Sequence, residues 1–157
     1  MTFASSTRRI SATVLAAGAV VAAAALPASA HDGDHRHQQR PQVEISRVQA
    51  DSPGRDDRSN RSLNGEWVEI TNTTRHAVNL KGWTLKDEDG NRYRFKDIRL
   101  GGRDTIRIHT GHGRDSRTDL FQDRNDYVWD NRSDTATLRD DHGRTVDTES
   151  WGRHHRH

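Results

Sequence analysis

The sequence predicts an all-β fold, and three observations carry the prediction. Beyond the first thirty positions, apolar residues alternate with polar ones in short runs, the pattern of strands that bury one face. No stretch there sustains a 3.6-residue apolar period over three turns, so nothing reads as an amphipathic helix. Turn signals also punctuate the runs. Leu85-Lys86-Asp87-Glu88-Asp89-Gly90 and Leu138-Arg139-Asp140-Asp141-His142-Gly143 share the spacing Leu-x-Asp-x-x-Gly. In that spacing an Asp can accept a backbone hydrogen bond just ahead of it, and the Gly supplies positive φ where the chain reverses. Short strands punctuated in this way suggest a sandwich or barrel.

The chain begins with a segment of another kind. Met1–Ala30 places Arg8 and Arg9 before an alanine-rich apolar run from Ile10 to Leu26 and ends in Ala28-Ser29-Ala30. A charged start, a short apolar middle and a small-x-small end describe a secretory signal peptide, and the run falls short of the ~20 apolar residues of a membrane span. Next, His31–Gln42 is polar, histidine-rich and without an apolar residue, and reads as a flexible leader. Val43–Trp151 is the segment able to bury a core. Gly152–His157 is a second histidine-rich stretch and reads as a tail.

Within Val43–Trp151 the elements follow in order. Val43-Glu44-Ile45-Ser46-Arg47-Val48 starts an alternation that breaks at its end. Asp51–Gly65 reads as a long polar loop, the kind of connection that often carries binding. Trp67-Val68-Glu69-Ile70 puts Val68 and Ile70 on one face. Trp83-Thr84-Leu85 and Tyr93-Arg94-Phe95 flank a hairpin turn. Thr105-Ile106-Arg107-Ile108-His109 alternates cleanly. Tyr127-Val128-Trp129, Thr135-Ala136-Thr137-Leu138 and Thr145-Val146 complete the expected strands.

Composition narrows the function classes. The signal segment Met1–Ala30 holds two of the 25 basic residues and none of the 23 acidic ones, so the remaining 127 residues carry 23 of each. Export therefore removes the apparent basicity, and with it a general attraction to nucleic acid. The same 127 residues contain 28 apolar ones, enough for a small core and too few for a large, deeply buried enzyme core. No cysteine is present, so the fold stands without disulfides or thiolate metal sites.

The residues from Gly65 onward resemble a lamin-tail domain. Gly65-Glu66-Trp67-Val68-Glu69-Ile70-Thr71-Asn72 is similar to the family's strand, and Leu80-Lys81-Gly82-Trp83-Thr84-Leu85 to its Leu-x-Gly-Trp-x-Leu motif, followed by Asp87, Gly90, Tyr93 and Phe95. Trp129-Asp130-Asn131-Arg132-Ser133-Asp134-Thr135-Ala136-Thr137-Leu138 resembles the later family pattern, with Ser133 where the family usually has Gly. The resemblance covers roughly Pro41–Trp151 and implies an immunoglobulin-like β-sandwich. Trp67, Gly82, Trp83, Leu85, Gly90, Trp129, Asp134, Leu138 and Gly143 are then motif residues with a structural role. In animals such domains end nuclear lamins and contact proteins and DNA, whereas bacterial ones occur on secreted and surface proteins. The family supplies no catalytic residue, and a fold of this kind does not by itself fix a function.

Several candidates for chemistry remain. His31, His35 and His37, with His154, His155 and His157, could bind zinc, copper or nickel, because neutral imidazole is a good ligand for these ions. Cleavage after Ala30 would also pair the α-amine of His31 with its own imidazole. His109-Thr110-Gly111-His112 has the spacing of some metal sites but reads as loop decoration. Asp87, Asp89 and Asn91 resemble the start of a calcium loop, but Gly90 sits too early and no distal Glu follows. No serine occupies a Gly-x-Ser-x-Gly elbow, and the carboxylates are scattered. Asp51–Gly65 is the leading binding-loop candidate on its length and polarity, with Arg55, Arg58 and Arg61 as its candidate ligand-binding residues, although Asp56 and Asp57 share it and blunt its charge.

These readings converge on a secreted, non-enzymatic binding, adhesion or structural module acting at the cell envelope or outside the cell, with no membrane span once the signal is removed. Its expected partner is an envelope polymer or protein. Metal capture by the histidine-rich termini is the alternative, and nucleic-acid binding is disfavoured. No cofactor is expected beyond an adventitious divalent metal. Ten histidines should make the exported chain cationic as pH falls through ~6.5, strengthening adhesion to anionic polymers.

Overall fold

The computed structural model describes residues 41–152. The signal segment, most of the leader, the end of the tail and the six terminal histidines lie outside the described residues.

The strands are β1 (Val43–Gln49), β2 (Trp67–Asn72), β3 (Val78–Asn79), β4 (Thr84–Lys86), β5 (Arg92–Arg94), β6 (Arg99–Leu100), β7 (Thr105–His109), β8 (Asp119–Phe121), β9 (Asp134–Arg139) and β10 (Thr145–Trp151), with one short helix, α1 (Asn60–Gly65). Two four-stranded sheets form, in the orders β1-β2-β7-β8 and β10-β9-β4-β5, and β3 pairs with β6 beside them. Inward residues of both sheets meet in one core. Val43, Val68, Ile70, Ile106, Ile108 and Leu120 come from the first sheet, and Leu85, Ala136 and Leu138 from the second. This is the immunoglobulin-like β-sandwich that the sequence implies.

The broken alternation in β1 has a structural cause. Ile45 pairs with Ile70 and Arg47 with Glu69, so Ser46 is an extra residue in a β-bulge. A bulge shifts the side-chain parity by one position. Val48 therefore packs against the core together with Val43 and Ile45. β10 has its own register shift between Thr145 and Asp147. The two irregularities meet, because the backbone N–H of Ile45 donates to Asp147 Oδ2 at 2.7 Å. Both sheets are thus stitched along their β1 and β10 edges.

Several expectations need correction. Tyr127-Val128-Trp129 is not a strand. Val128 and Trp129 are adjacent yet both buried, which a two-residue period does not allow. Their segment finds its hydrogen bonds in carboxylates instead of a ladder. Tyr127 N–H donates to Asp126 Oδ1 (2.9 Å) and Val128 N–H to Glu66 Oε1 (2.9 Å). The Asp51–Gly65 loop is not wholly irregular either, since it ends in α1, capped by Ser59 accepting from Ser62 N–H at 3.2 Å. With Leu63 its only apolar side chain, α1 gives no helical period to read. Strands β3, β6 and β8 are additions to the expected set, two of them being only two residues long. At the ends, Pro41 and Gln42 belong to the fold and not to a flexible leader, because Thr73 donates to both carbonyls. Gly152 is likewise packed, where an added Cβ would lie 2.0 Å from the Arg132 carbonyl.

Candidate binding surface

The Asp51–Gly65 connection is held in one shape from within. Ser52 Oγ donates to the Ser62 carbonyl (2.6 Å), Ser62 Oγ to the Arg55 carbonyl (3.0 Å), and the Ser62 and Tyr127 hydroxyls are 2.7 Å apart. Asp57 Oδ1 accepts from Ser59 N–H at 2.9 Å, and the Ser59 hydrogen bonds hold this carboxyl below its usual range. The facing segment is fixed in the same way. Asp130 Oδ1 accepts from Arg132 N–H (2.7 Å) and Ser133 N–H (3.1 Å), which lowers the Asp130 pKa. Between the segments, Asn131 Nδ2 reaches Asp51 Oδ1 (3.2 Å) and Asp56 Oδ2 (3.4 Å). A cavity of about 350 Å³ opens there, lined by Asp56, Tyr127, Trp129, Asp130, Asn131 and Arg132.

The three loop arginines do not line that cavity. Arg58 Nε pairs with Asp126 Oδ1 at 3.0 Å on open surface, an arrangement of little energetic weight. Arg55 and Arg61 are exposed, and neither makes an ion pair among the described residues. The loop presents these cations separately and does not gather them around a ligand.

Beneath the loop lies a group that stands in the sequence only as part of a motif. Glu66 is fully buried between α1 and β2. Its Oε1 accepts from the Thr110 hydroxyl (2.5 Å) and from Val128 N–H, while Oε2 has no partner among the described residues. Burial pushes its pKa up to about 7, against the opposing pull of the Thr110, Val128 and Trp129 hydrogen bonds, and the Asp56 charge adds to the rise. Glu66 thereby ties the first strands to the Val128–Trp129 segment. An acidic residue between a glycine and an alternating run was the available signal.

The tryptophans are built into the fold. Trp129 is buried with Trp151 against its edge at 5.9 Å, and Trp151 Nε1 donates to the Asp130 carbonyl (2.7 Å). Trp83 packs on the core, and Trp67 lies under the Arg107 guanidinium at 4.5 Å. Leu85 and Leu138 are neighbours across β4 and β9 inside the core. Asp134 is buried and accepts from Glu88 N–H and Asp130 N–H, joining two turns. The repeated Asp-x-x-Gly turns use one device. Asp87 Oδ1 takes Gly90 N–H (2.7 Å), Asp140 Oδ1 takes His142 N–H (3.0 Å), and Gly90 and Gly143 both have positive φ (99° and 78°). Asp87 Oδ2 is engaged by Asn91, so these oxygens face protein donors and not a cation. Gly82, also at positive φ (83°), lies against Asp141.

His109 is more than loop decoration. It ends β7, stacks on Phe121, and bridges the Asn64 carbonyl (Nδ1, 2.9 Å) to Asp119 Oδ1 (Nε2, 3.0 Å). His112 lies between Asp123 (3.4 Å) and Asn125 (3.0 Å). Among the described residues, no three His, Cys, Asp or Glu side chains are grouped to hold a metal ion. No helix among them is long and apolar enough to cross a membrane.

No curated protein matches the chain. Residues 36–153 match the Lamin Tail Domain family, and the chain belongs to that family.

Proposed function

We propose that the chain is a secreted, non-catalytic binding module that works at the cell envelope or outside the cell. The observation that carries this reading is the prefixed loop end of the sandwich. The Asp51–Gly65 and Tyr127–Ser133 segments are held by hydrogen bonds around a polar cavity, so a partner would meet a surface whose ordering cost is already met. The apolar, small-residue-terminated segment Met1–Ala30 supports export. The envelope is the favoured location because bacterial domains of this family occur on secreted and surface proteins.

Co-sedimentation of the exported protein with cell walls of the producing organism, with and without EDTA, tests the proposal. Retention in both conditions supports the module reading. Retention lost with EDTA moves the function to metal bridging by the histidine-rich termini. Protein left in the supernatant in both conditions refutes an envelope target.

A further inference from the structure

Side chains alternate across the β10-β9-β4-β5 sheet, and the inward set includes Leu85, Ala136 and Leu138. Over β4, β5 and the Arg139 end of β9 the outward set is cationic, while Thr135, Thr137, Thr148 and Ser150 continue the face in hydroxyls. Lys86 stands beside Arg92, and Thr84 stands between Arg94 on β5 and Arg139 on β9. Lys86, Arg92, Arg94 and Arg139 line one shallow groove of about 360 Å³. A second opening, sharing Gly82 and Arg94 with the first, adds Lys81 and Lys96. The sequence has only three lysines, and all three fall on this surface.

Six cations therefore crowd one region of a chain with almost no net charge. None of the six makes an ion pair among the described residues. The acids at the groove are largely occupied or few. Asp140 is taken by Arg144 (2.7 Å) and two backbone donors, which leaves Asp141 beside it and Asp97 at the second opening. The opposite sheet shows what a neutralised face looks like. There Arg107 meets Glu69 at 2.9 Å and covers Trp67, and His109 meets Asp119 at 3.0 Å. Self-repulsion among unpaired cations is a cost that an anionic partner removes.

We propose that this outer face binds an anionic polyol-phosphate polymer, an inference that rests on the envelope reading above. An open face with rows of cations suits an extended chain of charges better than a single ion. Mixed lysine and arginine suits phosphate, which lysine meets as a point charge and arginine as a fork. Thr84 and Thr137 add hydroxyls between the cations. A single-stranded nucleic acid would need aromatic rings for its bases. Here Tyr93 is turned edge-on against Phe95 at 5.0 Å, and its burial raises the phenol pKa to about 12.

The test compares the full exported protein with a Lys86→Gln/Arg92→Gln/Arg94→Gln variant and an Arg47→Gln/Arg75→Gln control on exposed cations elsewhere, each checked for native circular dichroism and unchanged urea midpoint. If the triple variant misfolds, Arg94→Gln and Lys96→Gln singly replace it. Binding is read by calorimetry with purified polyol-phosphate polymer and by co-sedimentation with walls before and after acid removal of that polymer. The expected result is affinity for the polymer that falls at least about tenfold in the triple variant, with a shallower salt dependence, and is unchanged in the Arg47→Gln/Arg75→Gln control. Retention on stripped walls equal to that on intact walls, with the triple variant unaffected, overturns the face while sparing the envelope reading. Failure on every wall with retained polymer binding removes the envelope and keeps the face. Equal or tighter binding of a carboxylated polysaccharide or of single-stranded DNA overturns the assignment of the ligand.

Discussion

Glu66 offers the sharpest quantitative test of the fold. Its carboxyl titrates near 4.5 when unfolded and is pushed to about 7 when folded. A carboxyl whose folded pKa is raised stabilises the protein in its protonated form. That contribution is complete below about pH 4.5, is lost progressively as the unfolded state ionises first, and is gone once pH passes the folded value near 7. The gap between the two values corresponds to about 3 kcal/mol. Glu66→Gln removes the titration while keeping an Oε1 able to accept from Thr110 and Val128, and it places a neutral amide where Oε2 has no partner among the described residues. Urea unfolding followed by tryptophan fluorescence, with both proteins measured from pH 4.5 to 8.5, isolates this group, because every other carboxyl and histidine cancels in the difference. The Glu66→Gln variant should gain about 3 kcal/mol on the parent across that range, a midpoint separation of about 1–3 M urea. A difference that stays constant with pH, or that moves in the parent's favour as pH rises, refutes the burial argument.

Three further outcomes follow from packing and hydrogen bonding. Asn72 is fully buried at the end of β2, where Nδ2 donates toward the His76, Leu100 and Gly101 carbonyls and Oδ1 accepts from Thr74. Asn72→Ala strands these groups and should cost about 2–4 kcal/mol in urea unfolding, with amide exchange rising first around β3 and β6. Leu138→Ala empties the centre of the second sheet and should cost about 2–5 kcal/mol in the same assay. At Gly102 an added Cβ would lie 2.3 Å from the Arg75 backbone carbonyl, whereas at Gly101 the obstacle is the movable end of the Asp104 side chain. Gly102→Ala should therefore lower stability by about 1–3 kcal/mol, and Gly101→Ala by clearly less, as compared by thermal unfolding.

The legible part of the fold was the part governed by a two-residue period. β2, β4, β5, β7 and β9 each put apolar residues on one face and stand where alternation placed them. Even the break in β1 was visible, although its meaning needed the partner strand, because a bulge is a property of the pairing and not of one segment. Tyr127-Val128-Trp129 misled because its aromatic, β-branched composition suits a strand, while the carboxylate that takes the Val128 N–H comes from distant Glu66. β8 was hidden in a charged stretch. It pairs parallel to β7 with Leu120 alone fully buried, and the adjacent Leu120 and Phe121 show no two-residue period. The site divides in the same way. Arg55, Arg58 and Arg61 share a loop in sequence but gather around no common cavity. Lys86, Arg92, Arg94 and Arg139 are scattered in sequence, and the strand register brings them to one face.

The stitch between Ile45 and Asp147 spans 102 positions and joins the first strand to the last. A chain synthesised from its N-terminus can pair β1 with β2 early, but it cannot close the sandwich until β10 has been made. Completion of the fold therefore waits until β10 is available, and contacts of such long range form slowly. The same seam makes β10 the natural place for a quality check, since a product truncated before Asp147 leaves the β1 bulge without its partner.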